Sequence, residues 1–457
     1  MQWSLVITFM ILGVSLLIAS VLRANIRFLQ RFLIPNAITG GFVGLVIMYI
    51  TAKFYPDIMP AREVLGNIVY HLLAVTFISI GLKKRKKYLD RSAVSTTFTL
   101  TLGYAVEGFL GYTITLGFLY TFMPHIFPTF GMLFEIGFGQ SSGQAYALGL
   151  QWEKFGFENG GTVGLTFGAI GFLWACFVGI PILNWGVKRG YIKGISKENL
   201  ENRGFYPRGK HGGITGYRTT HPDVIASGSF HLAFIGFIYL FDYFFIKLLV
   251  KLLMLTGSGF ALQLGKILWA YHAFFATLFS LLAGRILDAM NRHDILDDDT
   301  LTGISASSVD FLVTAAIMAI ELVVVARYIV PIVVICVVGG ALTTMFVFII
   351  SRWSFEDHVF ERALSIFGLL TGTVSTGLAL LRVVDPEYRT PAASDLVLGS
   401  GFSLFLGFPL LLLINLPVLY PSNKTYLLTD GMILFYIVLV FVVMWLLKLV
   451  KPGKSIK

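Results

Sequence analysis

Charge is the scarcest ingredient of this sequence. Of its 457 residues only 13% are Asp, Glu, Lys or Arg, about half the roughly 25% of ordinary soluble proteins. A chain of this length with so little ionised surface is not a soluble enzyme. Cysteine is nearly absent as well: Cys176 and Cys336 are the two present, both inside apolar stretches, which excludes a disulfide framework. Neither HExxH nor CxxC occurs, and no nucleophile elbow is expected. Gly137 to Gly143 has only the composition of a dinucleotide loop, with the wrong spacing and no strand before it, and Gly453-Lys454-Ser455 lacks the upstream glycine of a phosphate loop. These absences argue against an enzyme, against a cofactor and against ATP-driven transport by this chain alone.

What is abundant is apolar length. Hydrophobic residues make up 56% of the chain, the mean hydropathy is +0.79, and several runs reach the roughly 18–20 apolar residues that span a bilayer. They predict helices near 3–22, 36–54, 64–82, 95–122 and 161–187, then near 227–250, 264–287, 303–326, 328–351 and 394–419, with a last helix at 430–449. The first run has no basic leader and no small-residue cleavage site, so it reads as a retained helix. Two further stretches, about 129–151 and 362–383, are apolar but broken by Gly, Ser and Thr. If each enters and leaves on one side, eleven crossings remain and the loops alternate. One face then collects 27 of the 35 basic residues and the other 8. The positive-inside rule makes the crowded face cytoplasmic, with the N-terminus outside and the C-terminus inside. The net charge of +10 is then a property of loops in a lipid bilayer and not a sign of nucleic acid. Helices rather than barrel strands point to a bacterial inner membrane.

The polar loop 188–226 divides the crossings into two sets of five, 1–187 and 227–420, leaving the helix and basic tail of 421–457 as an addition. Each set runs as four spans, a broken segment and one more span. Ser142-Gly143 and Thr376-Gly377 hold matching places, as do Asn184 and Asn415. Five is odd, so the second set enters from the opposite face. The expected fold is an all-α polytopic membrane protein with an inverted-topology repeat of two five-helix units, each carrying a re-entrant hairpin; chance hydropathy echoes are the alternative.

The broken segments carry the chemistry. With arms of about ten residues, or roughly 15 Å of helix, each tip reaches mid-bilayer, where irregular backbone is tolerated only inside protein or beside a wet cavity. The second half-helix of each begins at the tip, so its amide groups favour an anion there. The candidate substrate-binding residues are Gly139, Gln140, Ser141, Ser142 and Gly143 at the first tip, and Thr373, Ser375, Thr376 and Gly377 within Gly372 to Gly377 at the second. Small-residue helix packing is the competing explanation for both. Ionisable residues inside spans are functional candidates by default: Asp310, with Ser307 three residues before it, could hold sodium or exchange a proton. Glu107 and Asp242 also fall inside spans. His231 and His272 read as buried polar packing, and Arg382 as a substrate counter-charge or a solvated residue.

Ile34-Pro35-Asn36-Ala37-Ile38-Thr39-Gly40-Gly41 resembles the entry motif of bacterial sodium/glutamate symporters. Gly139 to Ala147, Glu153-Lys154-Phe155-Gly156-Phe157 and Thr166-Phe167-Gly168 are similar to a later block of that family at matching spacing. Gln140 stands where the family has His, and the second tip lacks the family's proline. The resemblance, which extends to about residue 420, implies a homodimer of inverted five-helix repeats. It implies sodium-coupled uptake of glutamate by an elevator-type movement, with sodium near the tips at Ser142 and Thr376 and Thr166 as a further ion-coupling candidate. The resulting expectation is a sodium-coupled symporter of glutamate or a related small organic anion. A proton-coupled carboxylate carrier using Asp310, or a gated pore, are the alternatives.

Overall fold

The computed structural model describes residues 3–54, 60–84, 90–191, 217, 219–220, 224–256, 258, 261, 264–265, 267–385 and 390–451. Most of the expected 188–226 linker and the end of the basic tail, with Gly453-Lys454-Ser455, lie outside them. Among the described residues every regular element is helical, and ten helices are long and apolar enough to cross a membrane. They are α1 (Trp3–Asn25), α2 (Asn36–Phe54), α3 (Arg62–Gly81), α4 (Arg91–Tyr120), α7 (Gly160–Lys188), α8 (Ser227–Leu255), α9 (Leu268–Ala289), α10 (Asp298–Ala319), α11 (Ile329–Ser354) and α16 (Asn423–Leu446). An eleventh is the pair α14 (Ala392–Leu406) and α15 (Phe408–Leu419), bent by 43°. Each expected apolar run therefore meets one of these spans. The shorter α5 (Met132–Glu135), α6 (Ser142–Glu153), α12 (Val359–Leu370) and α13 (Val374–Val384) build the two broken segments.

Two boundaries differ from the sequence reading. The run 303–326 does not continue as one helix: α10 stops at Ala319, and Glu321, with extended backbone (φ −90°, ψ 105°), starts the short helix Leu322–Arg327. A carboxylate is favoured where helix-start amides point, and here it marks a new helix rather than the end of the old one. Asn415 is likewise not inside a continuous helix; it precedes Leu416, where the chain restarts after Leu413.

The chain separates into two compact units, and each takes residues from both expected repeats: Met1–Ile26, Pro35–Lys87 and Arg203–Ala319 in the first, Arg27–Ile34, Tyr88–Asn202 and Ile320–Lys457 in the second. The first holds α1, α2, α3, α8, α9 and α10. Its core gathers Ala74 and Ile78, Ile235 and Ile238, Ala276 and Leu287, with Leu296 and Leu301. In the most apolar windows of α1 and α8 only 22% of residues are buried. Their outward Leu, Phe and Val side chains meet lipid at little cost, since lipid tails are as apolar as they are.

Polar ties fix the register of this unit. Thr314 Oγ1 donates to Ala37 O at 3.1 Å, joining α10 to α2 just before Gly40-Gly41. Asp297 caps α10, its carboxylate accepting from Thr300 N–H at 2.7 Å and from Thr300 Oγ1 at 2.6 Å. The Asp297 N–H donates to His231 Nε2 at 2.8 Å, while His231 Nδ1 donates to Ser227 O at 2.6 Å. Both ring nitrogens of His231 are thus engaged, packing α8 against the start of α10.

The second unit contains α4, α5, α6, α7 and α11 to α16. Helix α16 packs within it, Val440 and Met444 against Leu102 and Ile350. Tyr112 OH and Thr113 Oγ1 of α4 donate to Tyr426 O (3.2 Å) and Asp430 Oδ1 (2.9 Å) of α16.

Candidate functional site

The first tip forms because regular helical bonding is interrupted twice in ten residues. Helix α5 runs into a π-helical turn at Ile136–Gln140, and Ser141 then takes extended backbone (φ −178°, ψ 154°) before α6 begins. Ser141 Oγ accepts from Gln144 N–H at 3.1 Å, an N-cap that satisfies one of the open amides of α6. The second tip uses the same device. Thr373 is extended (φ −150°, ψ 172°), and its Oγ1 caps α13 by accepting from Thr376 N–H at 3.4 Å. Two hydroxyl-capped helix N-termini, twelve and eleven residues long, thus open at the two breaks, and each presents the positive end of its dipole.

Close backbone approach holds the tips in place. A Cβ on Gly168 of α7 would lie 2.4 Å from Ser142 Cβ, so Ser142 rests on bare backbone. One turn on, a Cβ on Gly171 would lie 2.9 Å from Thr371 O and 3.1 Å from the Phe138 ring. Helix α7 is therefore in contact with both tips. Arms α12 and α13 fold back on each other, with Gly377 against Ser365 O.

The structure brings most of the sequence candidates into this one unit. Gly139, Ser141, Ser142, Gly143, Thr376 and Gly377 are buried, Gln140 and Thr373 are half-buried, and Ser375 is exposed. Thr166 lies buried on α7, its hydroxyl donating to Thr162 O at 2.8 Å and keeping its lone pairs free. Asp310 and Ser307 belong to the first unit, exposed on α10, where Arg23 of α1 is the cation that acts on Asp310. Asp242, also in the first unit, is buried, with neither carboxylate oxygen hydrogen-bonded among the described residues. Arg382 is exposed beyond the second tip.

Gly139-Gln140-Ser141-Ser142-Gly143 does have the spacing of a nucleophile elbow, contrary to the expectation from sequence. That motif needs a strand before its serine, whereas here a π turn precedes Ser141 and its oxygen is occupied as a helix cap.

One group escapes the sequence reading. Glu135, 0% exposed, accepts from Gln140 Nε2 at 2.5 Å. Glu107 of α4, also 0% exposed, points a carboxylate oxygen at Gly139, where a Cβ would come within 2.6 Å of it. The signal that could have found Glu135 is an acid inside an apolar arm, five residues before Gln140.

Among the described residues no group of three or more His, Cys, Asp or Glu is placed to hold a metal ion. Tip hydroxyls and carbonyls remain as hard oxygen donors suited to a monovalent cation. Comparison with curated proteins and with solved structures gives no match. A family model described as sodium/glutamate symporter matches residues 1–357, which include the first tip, α7 and all of α11. That match takes in well over half of the chain, and with its membrane-spanning helices the protein belongs to the sodium/glutamate symporter family: it is a transporter, not an enzyme.

Proposed function

We propose that the protein carries glutamate, or a related small organic anion, across a bacterial inner membrane together with sodium. The observation that carries this reading is the pair of hydroxyl-capped helix N-termini at the breaks of one compact unit. Open amides and aligned dipoles attract a carboxylate without a fixed positive side chain, and family membership supports the same substrate and ion. Sodium sits near Ser142 and Thr376, with Thr166 as a third oxygen donor; Asp310 and Ser307 form a second ion-coupling candidate in the first unit.

The division into two units supports an elevator-type cycle, in which the unit holding both tips moves as one body. In that cycle the N-terminus faces outside, the C-terminus inside, and the protein works as a homodimer of inverted repeats. Uptake of labelled glutamate into proteoliposomes tests the reading. It should saturate and require an inward sodium gradient. A proton gradient sufficing without sodium would favour the proton-coupled carrier, and non-saturable flux without either gradient would favour a pore.

A further inference from the structure

Behind the first tip lies a set of buried oxygens that the tip chemistry does not use. Oε2 of Glu135 and Oε1 of Gln140 are sealed from solvent with no hydrogen-bond partner among the described residues, and the equally sealed Glu107 carboxylate and Thr343 hydroxyl have at most each other. They come from four elements: α4, α5, the π turn and α11. Thr343, 0% exposed, sits beside Glu107. The titratable groups facing Glu107 are Glu135, a like charge, and Tyr104, whose ring would meet a Cβ on Gly139 at 2.9 Å. Ser403 of α14 reaches the group through Tyr104. Buried polar atoms are normally paired, and two carboxyl groups at one dry site require a positive charge to be shared between them.

We propose that Glu107, Glu135, Gln140 and Thr343 form a buried site for one monovalent cation beneath the first tip, which shares Gln140 with the tip residues. Carboxylate, amide and hydroxyl oxygens are the hard donors such an ion takes. Sodium and a proton both supply the single charge, and the test separates them. The site reports to the tip through Gln140: its amide is held by Glu135 and its backbone leads into Ser141, the cap of α6. Filling the site fixes that cap before substrate arrives. The proposal rests on the cation-coupled reading above and adds a further cation site to the one near Ser142 and Thr376.

The test uses the purified full-length protein in detergent, following its thermal midpoint as sodium chloride replaces choline chloride, at acid and at alkaline pH. Wild-type protein should be stabilised by sodium. Glu107→Gln and Thr343→Val, each monodisperse on gel filtration, should raise the sodium concentration for half-maximal stabilisation by about ten- to a hundredfold. If the charge is a proton, Glu107→Gln should instead flatten the pH dependence and leave the sodium response alone. Either result supports the site and names its ion. Thr343→Val removes one hydroxyl at nearly constant volume, so it keeps the test open if Glu107→Gln does not fold. Variants that retain the wild-type response to both ions overturn the site. If sodium-dependent uptake persists in those same variants, the transport reading survives; a wild-type protein whose uptake ignores both ions would instead sink that reading.

Discussion

Trp152 Nε1 donates a 2.8 Å hydrogen bond to Asn415 Oδ1, and both side chains are buried. The bond joins the far end of α6 to the break inside α15, across most of the second unit's sequence, while Asn415 Nδ2 donates to Leu411 O at 2.7 Å. Replacing Asn415 by Leu leaves the indole N–H buried without a partner, which costs about 1–3 kcal/mol. Thermal unfolding of Asn415→Leu, Trp152→Phe and the double variant should show strong coupling between the two sites. Additive losses would mean that the bond carries no stability.

Gly168 should tolerate no side chain. Its Cβ would fall 2.4 Å from Ser142 Cβ and 2.7 Å from Ser142 Cα, so Gly168→Val pushes the first tip off α7. The expected result is a folded, membrane-inserted protein whose uptake rate falls at least about a hundredfold, as a displacement on the order of 1 Å does at a site that depends on orientation. Unchanged uptake would separate the tip from transport.

Ser142→Leu and Thr376→Leu probe the two breaks from the other direction. Ser142 is 2% exposed and Thr376 7%, so a branched four-carbon side chain cannot be absorbed locally. Both variants should insert normally and lose saturable uptake. Near-normal uptake kinetics in both would move the site elsewhere.

Asp310→Asn tests ion coupling from the first unit. If the carboxylate helps bind sodium, the variant should raise the sodium concentration for half-maximal uptake severalfold. If it exchanges a proton, the pH dependence should flatten instead. An unaltered response to both removes Asp310 from the coupling machinery and leaves it as a charge facing Arg23.

Asp297 predicts an acid limb in the stability curve. Burial raises its pKa, but the Thr300 hydroxyl and N–H and the Tyr217 backbone outweigh burial and hold it below its ordinary 3.8. A carboxylate with a depressed folded pKa stabilises the protein above the unfolded value, and the contribution is lost as pH falls through the folded one. Asp297→Ala should therefore destabilise the protein at neutral pH by about 0.5–2 kcal/mol and soften the decline below about pH 4. An identical acid limb in the variant would show that Asp297 does not contribute to it.

The spans are legible in the sequence because a bilayer imposes one simple demand, about twenty apolar residues in a row, which α1 and α16 meet without ambiguity. The tips are legible for the opposite reason: Gly, Ser and Thr interrupt apolar runs where nothing else accounts for them. What stays hidden depends on irregular helical turns. Side chains in an α-helix pair at three and four residues apart, so Glu135 and Gln140, five apart, read as unrelated. The π turn at Ile136–Gln140 closes its bonds over five residues and brings the two together. Glu321 and Asn415 are hidden similarly, because apolar residues continue on both sides of each break.

Gly171, with Thr371 and Phe138 both against it, makes α7 a shim between the two tips. If a solute at one tip shifts that shim, it changes the free energy of whatever occupies the other, and the change must be reciprocal: each ligand alters the other's affinity by the same factor. Cooperativity between the two cargoes then needs no messenger beyond one missing methyl group.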